Sequence, residues 1–383
     1  MLVRLAQRAE RRQGTCENRR PKGSQLATTP STQRAGENVP QAVDTRIGLF
    51  SLADHLDDPI THARTSEGQR LLELVEQGVI AEQVGFERFG VGEHHFSDYI
   101  SPNPNLLLSA IAARTTSIRL FTTVTLIALH DPVHLAEDVA VLDGLSRGRV
   151  ELSVARGVSA LTTAAFGQDP ERPYDVMGDK LARLLRALTT GEGETDAGAQ
   201  VRLSPAPVQR PHPPIWVGGG LSNTSCDLAA QHGLPLILPS LFRYPEDYLP
   251  IVRRYREQLS ARSPQATPRL GMPSYCWVAE TSQQARAQFR PRIEHYIQRF
   301  KSVRHGFGRA LDFETLLKGP AICGSPAEVV DRLDQVNQLL GLDVHILLMD
   351  LGGAPFGALR EAMELMGSSV LPHFAKQGGA TDA

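Results

Sequence analysis

No stretch of this 383-residue chain is apolar for long enough to span a bilayer, so a helical integral membrane protein is excluded. Charge of one sign is just as scarce. Lys and Arg number 40 against 42 Asp and Glu, a formal net charge of -2, so neither nucleic acid nor an anionic membrane surface is favoured as a partner. The four cysteines, Cys16, Cys226, Cys276 and Cys323, show no paired spacing. That argues against a zinc ribbon or a disulfide framework and predicts a reducing, cytoplasmic setting. No aromatic residue precedes Phe50, and residues 1–44 hold 8 basic against 4 acidic side chains. Despite Arg11-Arg12 and Arg19-Arg20, this segment lacks the apolar core of a secretory signal, and residues 1–45 read as a disordered extension. With 41% hydrophobic and 21% charged residues, the remainder suits one large α/β domain over residues 46–375.

A Gly-rich turn after the first strand is also missing. Phe50-Ser51-Leu52-Ala53 stands there, which disfavours a doubly wound sheet. What is present is an alternation of short apolar runs with helical patterns, the mark of βα units on a parallel sheet. The strands are expected at 47–50, 86–92, 118–127, 149–154, 215–217, 234–238, 270–279 and 344–349. Several are unbroken apolar runs, as strands covered on both faces should be. Between them, helices are expected to open at Ser66, Asp131-Pro132, Ser222 and Ser325-Pro326. Eight such units predict a (β/α)8 TIM barrel with insertions. Two long connections, 191–214 and 301–325, read as lids or disordered excursions, and the second is a candidate lid over a reaction that must exclude water.

In such a barrel the carboxyl ends of the strands form the active face. Glu93, His94, His95 and Phe96 end the second strand, with Ser101-Pro102-Asn103-Pro104-Asn105 just beyond. Adjacent residues of a strand point to opposite sides, so one histidine at most faces the barrel axis. Arg156 follows the fourth strand beside Gly157, where its planar donors can fork onto a phosphate. The fifth strand runs into Gly218, Gly219 and Gly220 and then into a helix start, a place where backbone approaches a ligand closely and free N–H groups meet an anion. Phe50, Trp277 and Met349 occupy strand positions suited to lining an apolar pocket. No Ser-His-Asp or Cys-His nucleophile is evident. A metal-dependent hydrolase built on His94 or His95, His130, Asp131 and Asp350 remains an alternative, although no His-x-His follows the first strand.

The order and spacing of these pieces resemble the bacterial luciferase family of flavin-dependent monooxygenases. The resemblance is dense over 46–167, through Glu93-His94-His95-Phe96, Ala136-Glu137-Asp138-Val139 and Ala155-Arg156-Gly157, and it returns at 215–240. It implies reduced FMN from a separate flavin reductase, O2 as co-substrate, a small organic substrate and a homodimer. It also implies that His94 lies against the flavin, that Arg156, Ser222 and Ser225 hold the phosphate with Gly218–Gly220, and that a non-prolyl cis peptide within Thr122-Thr123-Val124-Thr125 meets the ring, with Thr123 and Val124 as cofactor contacts. Val124 is β-branched where the family has small residues, and Leu221 replaces an acid. The family's dimer helix matches the segment that carries Ala136-Glu137-Asp138-Val139 and Leu142-Asp143, where Val133, Ala136, Val139 and Ala140 form an apolar stripe, and Gly148 is expected to turn the chain at its exit. A deazaflavin-dependent oxidoreductase and a non-catalytic flavin-binding subunit are the alternatives on the same fold.

Overall fold

The computed structural model describes residues 45–157, 159–169, 173–219, 223–239, 241, 243–299 and 312–375. The expected extension therefore lies outside the described residues, apart from Thr45. Strand β1 (Arg46–Ser51) opens the barrel, followed by α1 (Glu67–Val84), β2 (Arg88–Val91), α2 (Pro104–Ala112), β3 (Arg119–Thr122) and the short β4 (Thr125–Leu126). Next come α3 (Pro132–Ser146), β5 (Val150–Ala155), α4 (Ala160–Ala165), α5 (Pro173–Thr190), β6 (Glu192–Glu194), β7 (Gln200–Arg202) and β8 (Ile215–Gly218). The chain continues through α6 (Asn223–Gln231), β9 (Leu236–Ile237), α7 (Leu249–Arg262), β10 (Leu270–Val278), α8 (Ser282–Arg299) and α9 (Phe313–Lys318). It finishes with β11 (Ala321–Gly324), α10 (Pro326–Leu340), β12 (Val344–Leu348), α11 (Phe356–Ser369) and α12 (Leu371–Ala375).

Eight parallel strand positions close on themselves in the order β12, β1, β2, β3, β5, β8, β9, β10, with β10 returning to β12. All eight expected strand segments fall on this circuit. The expected run 118–127 is two strands: β4 resumes after β3 and pairs only with β5. A further parallel strand, β11, had no counterpart in the sequence reading; it flanks the C-terminal half of β10. Closure rules out the doubly wound alternative, since an open sheet has two free edges. Covered on both faces, β10 and β12 are buried along their whole lengths.

Helix ends follow the residues that cap them. Ser66 accepts from the Gln69 amide, Asp131 from Val133 and His134, and Ser325 with Glu328 forms a capping box. Ser222 lies outside the described residues. At the exit of α3 the chain turns through two left-handed residues, Arg147 at φ 58° and Gly148 at φ 81°. Gly148 was the expected turning residue; Arg147 joins it.

Three expectations need correction. Trp277 faces α8 instead of the barrel axis: its indole N–H donates to Gln288 at 2.8 Å and the Arg292 guanidinium lies 5.5 Å over its ring. Phe50 and Met349 are sealed in the core, so none of the three lines an open pocket. On α3, Val133, Ala136, Val139 and Ala140 are buried against the chain's own core, while Val141 and Leu145 are 45% and 58% exposed. Residues 191–203 are an ordered antiparallel β6–β7 hairpin, followed by cis prolyl bonds at Ser204-Pro205 and Arg210-Pro211. Residues 301–311 of the candidate lid lie outside the described residues, and most of the rest of that connection is built into α9 and β11. Among the described residues no helix is long and apolar enough to cross a membrane.

Glu82, near the end of α1, ties this helix to the turn entering β3. Its carboxylate accepts from the backbone amides of Thr116, Ser117 and Ile118 at 3.0, 2.7 and 2.8 Å. Burial alone would raise its pKa, but these donors outweigh it and hold the carboxyl down to about 2, below its ordinary 4.5. A depressed folded value means stability that is present above the ordinary pKa and lost as pH falls toward the folded one. Glu82→Ala should therefore cost about 1–2 kcal/mol at pH 7, allowing for solvent screening. In urea unfolding curves the gap to wild type should narrow as pH falls from 4.5 toward 2.

Candidate active site

The carboxyl ends of β1, β2, β4, β5, β8 and β12 supply the site. Directly after β2, Gly92 bonds to the Ser51 carbonyl and lies so close to strand three that an added Cβ would stand 2.9 Å from the Thr123 carbonyl oxygen. Glu93 is next, 2% exposed, and its carboxylate gathers three donors. His95 Nε2 lies 2.8 Å away, His130 Nε2 lies 3.0 Å from both oxygens, and the Leu126 amide donates at 2.8 Å. Burial pushes this carboxyl up, yet the hydrogen bond and charge of His130, with His95 and Leu126, bring it below its ordinary value. Glu93 thus stays ionised and binds the loops after β2 and β4 together.

The two histidines part as strand alternation requires. His95 turns to Glu93, while His94 stacks on Tyr99 with ring centroids 4.1 Å apart and planes 21° from parallel. Burial pushes the His94 imidazole down to about 4, with Glu93 opposing and His95 adding to the fall, so it is neutral at physiological pH. A neutral ring accepts a proton but holds none to give as imidazolium.

Between β3 and β4 the Thr123-Val124 peptide is cis, inside the Thr122–Thr125 run where the resemblance implied such a bond. Val124, Ala155 and Gly218 meet there: a Cβ on Gly218 would lie 3.0 Å from Ala155 Cβ, 3.3 Å from the Val154 carbonyl oxygen and 3.4 Å from Val124 Cγ1. Gly219 bonds to the Ile237 carbonyl, and a Cβ there would crowd Leu236. Only glycine leaves this surface open to a ligand. The β5–β8 register, Val154 opposite Val217, carries Arg156 alongside these glycines. Its guanidinium lies 5.0 Å over the Tyr174 ring, and among the described residues no carboxylate pairs with it. Ser225 is buried in the first turn of α6. Gly220 and Ser222 lie outside the described residues.

A second cluster joins Asp350, which the sequence reading weighed only as a metal ligand, to residues it gave no role. Asp350, after β12, accepts from Ser51 Oγ in a short contact and from Arg70 Nη2 at 2.5 Å. Asp54 accepts from the Gly352 amide at 2.7 Å, and Tyr99 and Tyr296 share a hydroxyl–hydroxyl bond of 2.7 Å. These partners lie up to 299 residues apart in sequence, so no local pattern announces them. The residues weighed as metal ligands are already engaged in separate tasks: His95 and His130 on Glu93, Asp131 as a helix cap, Asp350 on Arg70. Among the described residues no group of three or more His, Cys, Asp or Glu is arranged to hold a metal ion. At the rim, Phe96 is 65% exposed and stacks against Phe166 at 5.8 Å.

The sequence pattern that defines luciferase-like monooxygenases matches residues 45–343. The chain belongs to the luciferase-like monooxygenase family. With that family it is an oxidoreductase. Its relatives include the oxygenase component of the flavin-dependent trigonelline monooxygenase of Acinetobacter baylyi, 24% identical over 86% of this chain and 96% of that one. Another is limonene 1,2-monooxygenase of Rhodococcus erythropolis, 28% identical over 79% of this chain and 80% of the relative. Among solved structures, monooxygenase RslO1 from Streptomyces bottropensis superposes with a TM-score of 0.76 at 26% identity, covering 86% of this chain and all of its own. Two others share the fold at lower identity. One is the oxygenating constituent of 3,6-diketocamphane monooxygenase of Pseudomonas putida, in complex with FMN (TM-score 0.70, 17% identity, 86% and 98% covered). The other is the coenzyme F420-dependent tetrahydromethanopterin reductase of Methanopyrus kandleri (TM-score 0.65, 16% identity, 86% and 99% covered).

In this luciferase-like enzyme the Asp54 carboxyl is pushed up to about 7, chiefly by burial, with Asp350 adding to the rise while Arg70 and two backbone amides oppose it. A folded value above the ordinary 3.8 means the proton's contribution to stability is present at low pH and lost as pH rises through 7. Asp54→Asn imitates the neutral acid and keeps an acceptor for the Gly352 amide. Its thermal midpoint should match wild type below about pH 4, pull ahead as pH rises from 4 to 7, and stay ahead by a few degrees at pH 8, corresponding to roughly 1 kcal/mol or more.

Proposed function

We propose that this protein is the oxygenating component of a two-component, flavin-dependent monooxygenase, acting in the cytoplasm on a small organic substrate with O2 and with reduced FMN supplied by a separate reductase. The observation that carries this reading is an arginine that has no carboxylate partner among the described residues, beside a strand end kept bare by glycine. Arg156 offers a planar fork of donors to a phosphate, and Gly218 and Gly219 let backbone approach it closely. Gly220, Ser222 and Ser225 continue that cradle in sequence, and Thr123 and Val124 form the wall on which the isoalloxazine ring would rest. Reduced FMN, when bound, supplies the electrons that activate O2.

The chain's own residues bind, orient and keep water out. Apolar Val124 and Ala155 face the cradle, and the Phe96–Phe166 pair gives the rim an aromatic surface suited to an apolar substrate. Held neutral by burial, His94 serves as a proton acceptor through a ring nitrogen. Two names support the division of labour: the trigonelline relative is an oxygenase component, and the diketocamphane structure is an oxygenating constituent with FMN. A deazaflavin-dependent reading draws on the F420-dependent neighbour, whose identity carries the fold alone.

Anaerobic titration with reduced FMN should show saturable binding, and Arg156→Ala should weaken it about tenfold or more, the loss expected for one charge-assisted phosphate contact. Oxygenated buffer and heavy-isotope O2 should then place one labelled atom in the product of an accepted substrate. Binding of coenzyme F420 with no affinity for reduced FMN would transfer the assignment to hydride transfer.

We also propose a homodimer formed through α2 and α3. These helices pack side by side and leave Leu106, Val141 and Leu145 exposed at 70%, 45% and 58%. Replacing Leu106 and Leu145 together by Glu should convert the dimer to a folded monomer, as read by light scattering and circular dichroism.

A further inference from the structure

We propose that Tyr99, braced by Tyr296, is a positioning residue that sets the plane of the His94 ring and shields one of its faces from water. The proposal rests on the reading of His94 as the proton acceptor of the flavin site, but its test is made on the flavin-free protein, so the two can fail separately.

The segment after β2 doubles back on itself. His94 N donates to the Ser101 carbonyl at 3.0 Å, which closes residues 94–101 into a loop. That loop is laced to the segment after β1 by His55 N to the Asp98 carbonyl at 2.7 Å and Ile100 N to the Ala53 carbonyl at 2.9 Å. Tyr99 is thereby folded onto His94 as a nearly parallel stack. Two contacts from α8 keep it there. The Tyr296 hydroxyl bonds to the Tyr99 hydroxyl at 2.7 Å, and Arg299 Nε pairs with Asp98 Oδ2 at 2.6 Å. Tyr296 is itself 3% exposed and stands edge-on to Tyr275 of β10, with ring centroids 6.0 Å apart. The brace therefore runs from the barrel wall, through a helix, to the histidine.

Both phenols stay protonated, because burial pushes each well above the ordinary tyrosine range. Tyr99 presents His94 with a neutral aromatic face. Among the described residues, the charged or chargeable groups that act on the ring are Glu93 and His95 on its own segment, and they oppose each other. Exclusion of water is the largest influence left, and the Tyr99 ring supplies it on one face. Without that ring, water reaches the imidazole and the imidazolium forms under milder acid. A protonated His94 accepts nothing, so turnover would then fall on the acid side of its profile.

The experiment is the titration of the His94 ring protons by NMR in flavin-free protein, assigned by comparison with His94→Gln. Wild-type His94 should titrate near 4. Tyr99→Leu should move that midpoint up by about one pH unit or more. Tyr99→Phe keeps the ring and should leave it in place, and Tyr296→Phe should fall between. Should Tyr99→Leu fail to fold, Tyr99→Met, unbranched and of similar volume, takes its place. A folded Leu or Met variant with an unmoved His94 titration would overturn the proposal, as would a Phe variant that shifts as far as Leu. In the FMN-loaded enzyme, the Leu variant should shift the acid limb of kcat upward with KM little changed.

Discussion

The mouth of the barrel depends on one buried carboxylate. Glu93 is enclosed by protein, and an isolated charge there would be costly to hold. His95, His130 and the Leu126 amide remove that cost together, and each comes from a different point along two consecutive loops. The contacts reach further. The His130 carbonyl accepts from Lys180 Nζ at 2.7 Å, Lys180 pairs with Asp196 at 2.8 Å, and the Asp196 amide donates to the Asp131 cap at 2.6 Å. The β6–β7 hairpin, α5, α3 and the site loops are thus one polar assembly around Glu93. Removing that carboxylate would orphan donors on both loops at once.

The opposite end of the barrel uses the same physics for stability alone. Glu151 of β5 accepts from Arg88, Arg119 and the Trp216 indole, a buried anion ringed by donors from three other strands. The Arg88 stem fits only because its partner on β1 is Gly48, where a Cβ would stand 2.5 Å from Arg88 Cγ. Charge at this amino-terminal face meets no site loop, whereas charge at the carboxyl face is gathered beside Arg156, Gly218 and His94. That asymmetry follows from the barrel's direction, since every connection that varies in length leaves from the carboxyl ends.

The strand-end positions of several candidate-site residues were legible before folding because strand ends are local signals. His94, Arg156, Gly218 and Gly219 each directly follow or end an apolar run, and the run predicts the face on which they emerge. Trp277 shows where such reasoning stops. Its strand position was right, but side chains on a twisted strand face either the axis or the helices, and only the packed Gln288 and Arg292 reveal which. The stripe on α3 failed for a related reason: a helix covering a barrel is apolar toward its own core first, so Val133, Ala136, Val139 and Ala140 report the barrel and leave Val141 and Leu145 as the exposed apolar surface.

By itself, the sequence determined the eight strand segments, the caps at Ser66, Asp131 and Ser325, and the luciferase-like order of motifs, because these depend on neighbours within a few residues. Tertiary structure alone decided that Glu93 is a hub, that Asp350 pairs with Arg70 from 280 residues away, and that Tyr99 lies between His94 and Tyr296. Burial and the pairing of buried polar groups are properties of chain closure, and the barrel closes only when β10 returns to β12.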